Sequence, residues 1–270
     1  MSHLRPAPGA TAPATGALGL GAPGFAHPLL APAEWAELAR PGAPVHWAVL
    51  KAPVTGGPGA RPDPYCLAAA ARLRDAGVPL LGHLDLRWGA RADAEVIPEA
   101  GHFLDWYSVA GFYLDRAPAA PDALPRTRGT VAALRGRGQE AGCPVPHLVL
   151  GHGTHPHPGY AGLADQLVTF RGTWADYRWS QAAPWTADQP PSRFCHLVYG
   201  VPRGHLEEAL RIARWQGAGT VFVTDVPGDF GRTSARRGEG PGPGAGTDPF
   251  ETLPGFWDEI VSRIGIAVSE

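Results

Sequence analysis

The stretch Gly111-Phe112-Tyr113-Leu114-Asp115-Arg116 is a short apolar run that ends in two charges. Such a run is typical of a buried parallel strand whose carboxyl end opens into a site. The stretch Leu167-Val168-Thr169-Phe170-Arg171-Gly172 repeats the pattern and ends on a single arginine. The two stretches together predict a parallel sheet with charged groups at one edge.

Short apolar runs of this kind recur along the chain and alternate with helical patterns. The predicted strands end near His27, Lys51, Asp85, Asp115, Leu150, Phe170, Tyr199 and Thr224. Helical patterns span residues 62–76, 92–107, 127–140 and 204–216. Strands that alternate with helices over short connections pair in parallel, and a closed barrel leaves no exposed edge. The sequence therefore predicts an α/β fold, a single-domain (β/α)8 TIM barrel. A doubly wound open sheet is the alternative, but no glycine-rich phosphate loop follows the first strands.

The two ends of the chain and one internal segment have a different composition from the predicted barrel. Residues 1–24 are rich in Ala, Pro and Gly without a continuous apolar core, which predicts a disordered leader rather than a signal peptide. Residues 25–265 are predicted to form the barrel. Residues 227–248 are dominated by Gly, Pro and Arg, which predicts an unpacked insertion after the eighth strand. A lid over the barrel is the functional alternative for this insertion.

The overall composition excludes several classes of partner. A formal net charge of −2 with scattered arginines gives no support for nucleic-acid binding. No apolar stretch is long enough to span a bilayer, so no membrane association is expected. The chain has 3 cysteines without metal-ligand spacing, which predicts buried reduced thiols. These features together predict a bacterial cytoplasmic protein that binds a small molecule without a cofactor.

Candidate functional residues follow from the position of reactive groups in α/β barrels, at the carboxyl ends of the strands. The candidate catalytic residues are Asp115 and Asp85. The candidate substrate-binding residues are His27, Lys51, His83, Trp88, Arg116, His152, Arg171, Tyr199 and Asp225. Trp88 and Trp174 are also placed to stack on a ring, although packing at the rim is the ordinary role of such side chains.

A series of motifs resembles the spherulin-4 family (spherulation-specific family 4), which includes fungal endo-α-1,4-N-acetylgalactosaminidases. In chain order the motifs include Gly57-Pro58-Gly59, Pro62-Asp63-Pro64-Tyr65, residues 76–85, Trp106-Tyr107-Ser108-Val109, Val223-Thr224-Asp225 and Leu253-Pro254-Gly255-Phe256-Trp257. The resemblance covers roughly residues 25 to 260. It implies a barrel fold and the chemistry of a glycoside hydrolase.

The resemblance also implies hydrolytic carboxylates that this chain has largely lost. The family has an Asp-Glu pair after strand 4 and a Glu after strand 6, and here only Asp115 matches, beside Arg116 and Arg171. An arginine cannot give up a proton near neutral pH, so neither can be the acid that glycoside hydrolysis needs. We therefore expect no cleavage of α-1,4-linked galactosamine polymers, as in a pseudoenzyme.

Three hypotheses for function remain open at the level of sequence. In the first, Arg116 and Arg171 clamp a small polar or anionic metabolite that the barrel binds or transforms. In the second, the protein is a non-catalytic binding or scaffold protein, with Arg116 paired to Asp115 or Asp85 and Arg171 paired to another acid. In the third, glycoside hydrolysis persists through Asp115 and Asp85.

A metal site is the remaining alternative at the predicted strand ends. A metal bound by His83, Asp85 and His152 has the ligand types of a two-histidine, one-carboxylate centre. Arg116 beside it would add an adverse charge, so no metal is predicted there.

Overall fold

The computed structural model describes residues 18–51, 58–143, 146–228 and 248–264. In this part of the chain the strands form one closed parallel barrel, in which each strand pairs with its neighbours in chain order. They are β1 (Gly19–Ala22), β2 (Val45–Leu50), β3 (Leu80–Asp85), β4 (Gly111–Asp115), β5 (His147–Gly151), β6 (Gln166–Thr173), β7 (Phe194–Tyr199) and β8 (Thr220–Val223). The predicted (β/α)8 barrel is confirmed.

Helices lie between most of the strands. They are α1 (Pro32–Leu38), α2 (Pro64–Asp75), α3 (Asp93–Tyr107), α4 (Leu124–Glu140), α5 (Trp174–Tyr177), α6 (Leu206–Trp215) and α7 (Trp257–Ile264). Helix α2 shows how local sequence sets the bounds, because the Asp63 carboxylate accepts hydrogen bonds from the first-turn amides of Tyr65 and Cys66. No helix in the described ranges has the length and apolar character that crossing a bilayer requires.

The first strand is where the sequence prediction is wrong. Strand β1 is Gly19–Ala22 rather than a run that ends near His27, so the predicted leader of residues 1–24 includes part of the barrel. The sequence Gly-Leu-Gly-Ala has no β-branched or aromatic residue and gives a weak strand signal. The glycines are needed for packing, because a Cβ at Gly21 would lie 2.4 Å from the Trp47 ring.

The amino-terminal end of the barrel is closed by a network of neutral hydrogen bonds, which we call the base. Trp47 donates from Nε1 to Gln166 Oε1 at 2.7 Å, and Gln166 Nε2 donates to Thr220 Oγ1 at 2.8 Å. The ring of His46 meets the same Thr220 hydroxyl at 2.9 Å. These residues lie at or near the start of β2, β6 and β8. The base therefore contains polar groups that satisfy one another without charge.

The predicted insertion at residues 227–248 falls mainly outside the described residues. Asp248 is described, and Phe250 shortly after it is buried against the barrel. The chain on this side of the gap therefore belongs to the packed structure, and it enters the barrel at its carboxyl end.

Candidate functional site

Asp115 lies at the centre of the carboxyl end of the barrel. Strand pairing places it directly beside Asp85, the last residue of β3. Its carboxylate accepts a hydrogen bond from Arg171 Nη1 at 3.0 Å and lies 3.4 Å from His83 Nε2. We call this end, lined by His83, Asp85, Asp115, Arg116 and Arg171, the mouth.

The charge of Arg171 decides the protonation state of Asp115. Burial alone raises the pKa of the Asp115 carboxyl, but the Arg171 guanidinium and the hydrogen bond from His83 outweigh burial and hold that pKa well below its usual range. Asp115 is therefore a carboxylate at any physiological pH. It can accept hydrogen bonds, and it cannot act as a general acid.

A second ion pair lies beside the first. Arg116 donates from Nε to Asp85 Oδ1 at 2.8 Å, and the same carboxylate accepts the backbone amide of Arg87. The guanidinium of Arg116 also stacks 4.9 Å from the centre of the Trp88 ring. Trp88 is 61% exposed, so one face of the ion pair carries an aromatic ring that reaches solvent.

The backbone around this pair adopts conformations that side chains disfavour. Arg87, Trp88 and Arg116 have φ values of 46°, 54° and 49°, in the left-handed region that ordinarily favours glycine. The two segments are joined by hydrogen bonds, one of them from the Trp88 amide to the Arg116 carbonyl at 2.6 Å. Such backbone strain clusters at functional sites because the surrounding structure must enforce it.

The opposite rim of the mouth is formed by the segment that follows β8. Asp248 accepts a hydrogen bond from Lys51 Nζ at 2.5 Å. Phe250 packs 5.4 Å from the Arg171 guanidinium, and its ring meets Tyr199 edge-on at 6.0 Å. Lys51, Arg171 and Tyr199 were predicted from the sequence as binding residues, whereas Asp248 and Phe250 were not. An isolated aromatic directly after a Gly- and Pro-rich run was the available signal.

These contacts decide between two of the arrangements proposed for the arginines. Each one pairs with a separate carboxylate, Arg116 with Asp85 and Arg171 with Asp115. A clamp in which both guanidinium groups hold one ligand would have to break or share both pairs. The geometry therefore favours the salt-bridge alternative over the predicted clamp.

Tyr113 lies beneath the mouth, inside the barrel. Its ring stacks on His83 at 6.3 Å, and its buried hydroxyl has no hydrogen-bond partner among the described residues. Burial, and then the charge of Asp115, raise the pKa of Tyr113 well above its usual value, so the hydroxyl keeps its proton. A Cβ at Gly151 would lie 3.0 Å from this hydroxyl, which explains why a glycine suits that position.

Other residues selected from the sequence lie apart from the ion pairs. The His152 ring lies edge-on to Tyr160 at 4.9 Å. Burial lowers the pKa of His152 to about 4, and the nearby backbone of Ala117 and Pro118 only partly offsets that effect. Asp225 is exposed, and its carboxylate accepts the Gly255 amide at 2.9 Å, so it fixes a loop.

Trp174 does not have the exposed ring that its predicted role in ligand stacking requires. It is 6% exposed and packs among the core residues, so it is not available to stack on a ligand. Of the two tryptophans proposed for stacking, only Trp88 presents its ring to solvent.

The ligand-type side chains that cluster are not those weighed in the sequence analysis. His27, Asp63 and Cys66 each place a nitrogen, oxygen or sulfur atom within 4.8 Å of the others. No such cluster of His83, Asp85 and His152 forms among the described residues. His27 was selected from the sequence, but its partners were not. The spacing Asp63-x-x-Cys66 at a helix start was the available signal.

The sequence model of spherulation-specific family 4 matches residues 22–263. The chain belongs to this family. Spherulin-4 of Physarum polycephalum is 22% identical over 183 residues, which cover 64% of this chain and 53% of that protein. This member therefore spans about half the length of that relative.

The fold is shared with a solved fungal structure. The crystal structure of Aspergillus clavatus Sph3 in complex with GalNAc matches with a TM-score of 0.72 and 20% sequence identity. The match covers 93% of this chain and 98% of that chain. The likeness therefore extends over the whole barrel, including the strand ends that form the mouth.

Proposed function

We propose that this spherulin-4 family member is a carbohydrate-binding barrel whose mouth holds a neutral, hydroxyl-rich ring without hydrolysing it. The observation that carries the proposal is the pairing of Arg171 with Asp115 and of Arg116 with Asp85, a carboxylate that also lies 3.7 Å from Arg87 Nε.

The paired charges suit a neutral ligand better than an anion. Each of these guanidinium groups is already bound to a carboxylate, so an anion would gain one only by competing with that carboxylate. A hydroxyl group both donates and accepts hydrogen bonds. Neighbouring hydroxyls of a sugar can therefore donate to Asp115 and accept from Arg171 while that ion pair remains formed.

The same pairs argue against hydrolysis. Cleavage of a glycosidic bond requires a group that protonates the leaving oxygen. Asp115 is held ionised by Arg171, and neither mouth arginine can release a proton near neutral pH. A bound glycoside would therefore be retained rather than cleaved.

Trp88 supplies the apolar face that sugar recognition ordinarily uses. Its exposed ring lies against Arg116, directly beside the Asp85 carboxylate. A pyranose ring that stacks on this indole would place its hydroxyl groups near the two ion pairs. The Aspergillus relative is bound to GalNAc in its crystal structure, which makes GalNAc the first ligand to test.

Isothermal titration of the purified chain tests the proposal, with GalNAc, GlcNAc, galactose, a hexose phosphate and a dicarboxylate as probes. We expect a neutral sugar to bind more tightly than either anion. Trp88→Ala should weaken sugar binding about 2- to 12-fold through lost ring contact. Trp215→Ala is the matched control, because Trp215 is 77% exposed on α6 and its loss should leave affinity unchanged.

A second pair of variants tests the polar contacts. Asp115→Asn should weaken sugar binding about 10- to 150-fold, the range for a hydrogen bond to a charged group. Asp105→Asn, at an exposed pair with Arg137, should leave it unchanged. Preferential binding of the anions would instead support the hypothesis that Arg116 and Arg171 clamp one anionic ligand. Cleavage of an α-1,4-galactosamine polymer that Asp115→Asn abolishes would establish a hydrolase.

A further inference from the structure

His27, Asp63 and Cys66 form a compact group of three different metal-ligand types beside the mouth. His27 follows β1, Asp63 caps α2, and Cys66 lies in the first turn of that helix. His27 Nε2 lies 3.3 Å from Asp63 Oδ1 and 3.5 Å from Cys66 Sγ. Nitrogen, oxygen and sulfur donors from two separate segments therefore converge on one point.

The separations match the edges of a zinc tetrahedron. Zinc binds nitrogen and oxygen at about 2.0–2.1 Å and thiolate sulfur at about 2.3 Å. Tetrahedral angles then put the nitrogen about 3.3–3.4 Å from the oxygen and about 3.6 Å from the sulfur. The observed distances of 3.3 Å and 3.5 Å are those edges, so an ion can enter with little movement of the donors.

The donors are also held in place by their surroundings. The Asp63 backbone amide donates to the Tyr107 hydroxyl at 2.9 Å, and Asp63 Oδ1 accepts the amides of Tyr65 and Cys66. These amide bonds fix Oδ1 where it faces His27 Nε2. The Tyr65 ring meets the His27 ring edge-on at 6.3 Å. Ligands fixed in this way need little ordering when a metal binds.

We propose that His27, Asp63 and Cys66 bind a single divalent zinc ion, or another thiolate-seeking divalent cation, with the fourth position open to water. The Cys66 thiol loses its proton to solvent as the sulfur–metal bond forms. His27 binds through Nε2 and carries its ring proton on Nδ1, so the 3.3 Å contact from the Leu29 amide to Nδ1 opens. One thiolate and one carboxylate balance the two positive charges of the ion.

Cobalt substitution tests the site on the full chain after removal of metal with a chelator. Titration with Co²⁺ should give a sulfur-to-cobalt charge-transfer band and tetrahedral visible bands that saturate at one ion per chain. One equivalent of Zn²⁺ should bleach both. Added zinc should also raise the melting temperature, and a chelator should reverse the rise.

Variants assign the ligands. Cys66→Ser should abolish the charge-transfer band, and His27→Gln should weaken cobalt binding at least tenfold. Asp63→Asn should do the same while it keeps the helix cap, because an asparagine oxygen still accepts the two amides. Cys143→Ser is the matched control and should bind cobalt like the parent chain.

Three outcomes would overturn the site. They are the absence of a charge-transfer band in the parent chain, a band that persists in Cys66→Ser, and equal loss of the band in Cys143→Ser. The first would leave the three residues as a hydrogen-bonded group that joins β1 to α2. If Cys66→Ser does not fold, Asp63→Asn and the stoichiometry of the parent chain decide the question.

Discussion

The two ends of the barrel bury polar groups in opposite ways. At the base, Trp47, Gln166 and Thr220 satisfy one another through neutral hydrogen bonds. At the mouth, Asp115 and Arg171 do so with full charges, and their side chains keep 16% and 24% of their exposure. A neutral network needs no solvent, whereas an ion pair must offset the cost of removing two charges from water.

The two ends of the barrel contribute differently to closure of the fold and to ligand binding. The base closes the barrel where no ligand is expected, so it can be fully satisfied within the protein. The mouth keeps charges where water and a ligand can reach them. The full charges of this comparison therefore lie at the end where binding is proposed, and the neutral polar groups lie at the other.

The largest expected effect comes from unpairing the central carboxylate. Arg171→Met should lower the free energy of unfolding by about 3 kcal/mol, because it leaves the largely buried Asp115 charge with only the His83 contact. Urea denaturation at neutral pH measures the loss. The double variant Arg171→Met/Asp115→Asn should recover much of it, since no buried charge then remains.

The neighbouring ion pair provides the control for this effect. Arg116→Met should cost about 1 kcal/mol or less, because Arg116 keeps 35% of its exposure and its pair is screened by solvent. Equal losses for the two arginine variants would show that the Asp115 carboxylate is as well solvated as Asp85. The contrast drawn between a buried and a screened pair would then fail.

At the base, Gln166→Leu should produce the next largest effect. The substitution removes the acceptor of the buried Trp47 Nε1–H group and one partner of Thr220. A buried polar group left without a partner costs about 1–3 kcal/mol, so unfolding should become easier by that amount or somewhat more. Gln139→Leu on the exposed face of α4 is the matched control and should change stability by about 0.5 kcal/mol at most. No difference between the two would mean that the base relaxes to satisfy its own groups.

The pH dependence of stability should distinguish the buried histidines from the Asp115 carboxylate at the mouth. Burial lowers the pKa of His196 to about 3, and burial also lowers the pKa values of His46 and His147 at the amino-terminal end. The unfolded chain binds protons at these sites below its own pKa of 6.5 while the folded chain does not, so stability falls as the pH falls. The loss is at most about 1.4 kcal/mol per pH unit for each fully buried histidine.

Protonation of the Asp115 carboxylate at the mouth should lower stability only in stronger acid. The pKa of Asp115 is lowered by folding, so its stabilising effect is complete above the unfolded value of 3.8 and is lost below it. Denaturation at several values between about pH 7 and pH 5 should therefore report the histidines alone. His196→Gln should flatten this slope, while Asp115→Asn should not. A flat profile in the parent chain would contradict the neutral state of the buried histidines.

The sequence predicted the strands well where the signal is a run of large apolar residues. Strands β2 and β4 end where they were predicted to end, near Lys51 and Asp115, because buried parallel strands consist of such runs. Strand β1 was missed because its small residues make room for Trp47 on β2, a requirement set by the neighbouring strand. Local propensity does not contain that information.

The candidate site was predicted in composition but not in pairing. The rule that reactive groups follow the strands selected Asp85, Asp115, Arg116 and Arg171, and the structure brings all four together. Which arginine reaches which carboxylate depends on side-chain geometry across strands, which no single segment specifies. Phe250 is distant in sequence from the strands that carry the other mouth residues, so its place depends on the closed fold.

The smallest effect on stability is expected at the rim, where the substitution should instead change the rate of ligand binding. Lys51→Met removes the contact with Asp248, two side chains that are 28% and 20% exposed, and should cost about 1 kcal/mol or less. Asp248 leads directly to Phe250, which packs on Arg171, so loosening this segment should speed ligand association without loss of the barrel.

Stopped-flow binding of whichever sugar binds best measures the rate. Arg263→Met, which removes a more exposed ion pair with Glu207 away from the mouth, should leave the rate unchanged. High salt screens exposed pairs and should bring the parent chain towards the Lys51→Met rate. A rate that neither the variant nor salt alters would show that the rim segment does not limit entry to the mouth.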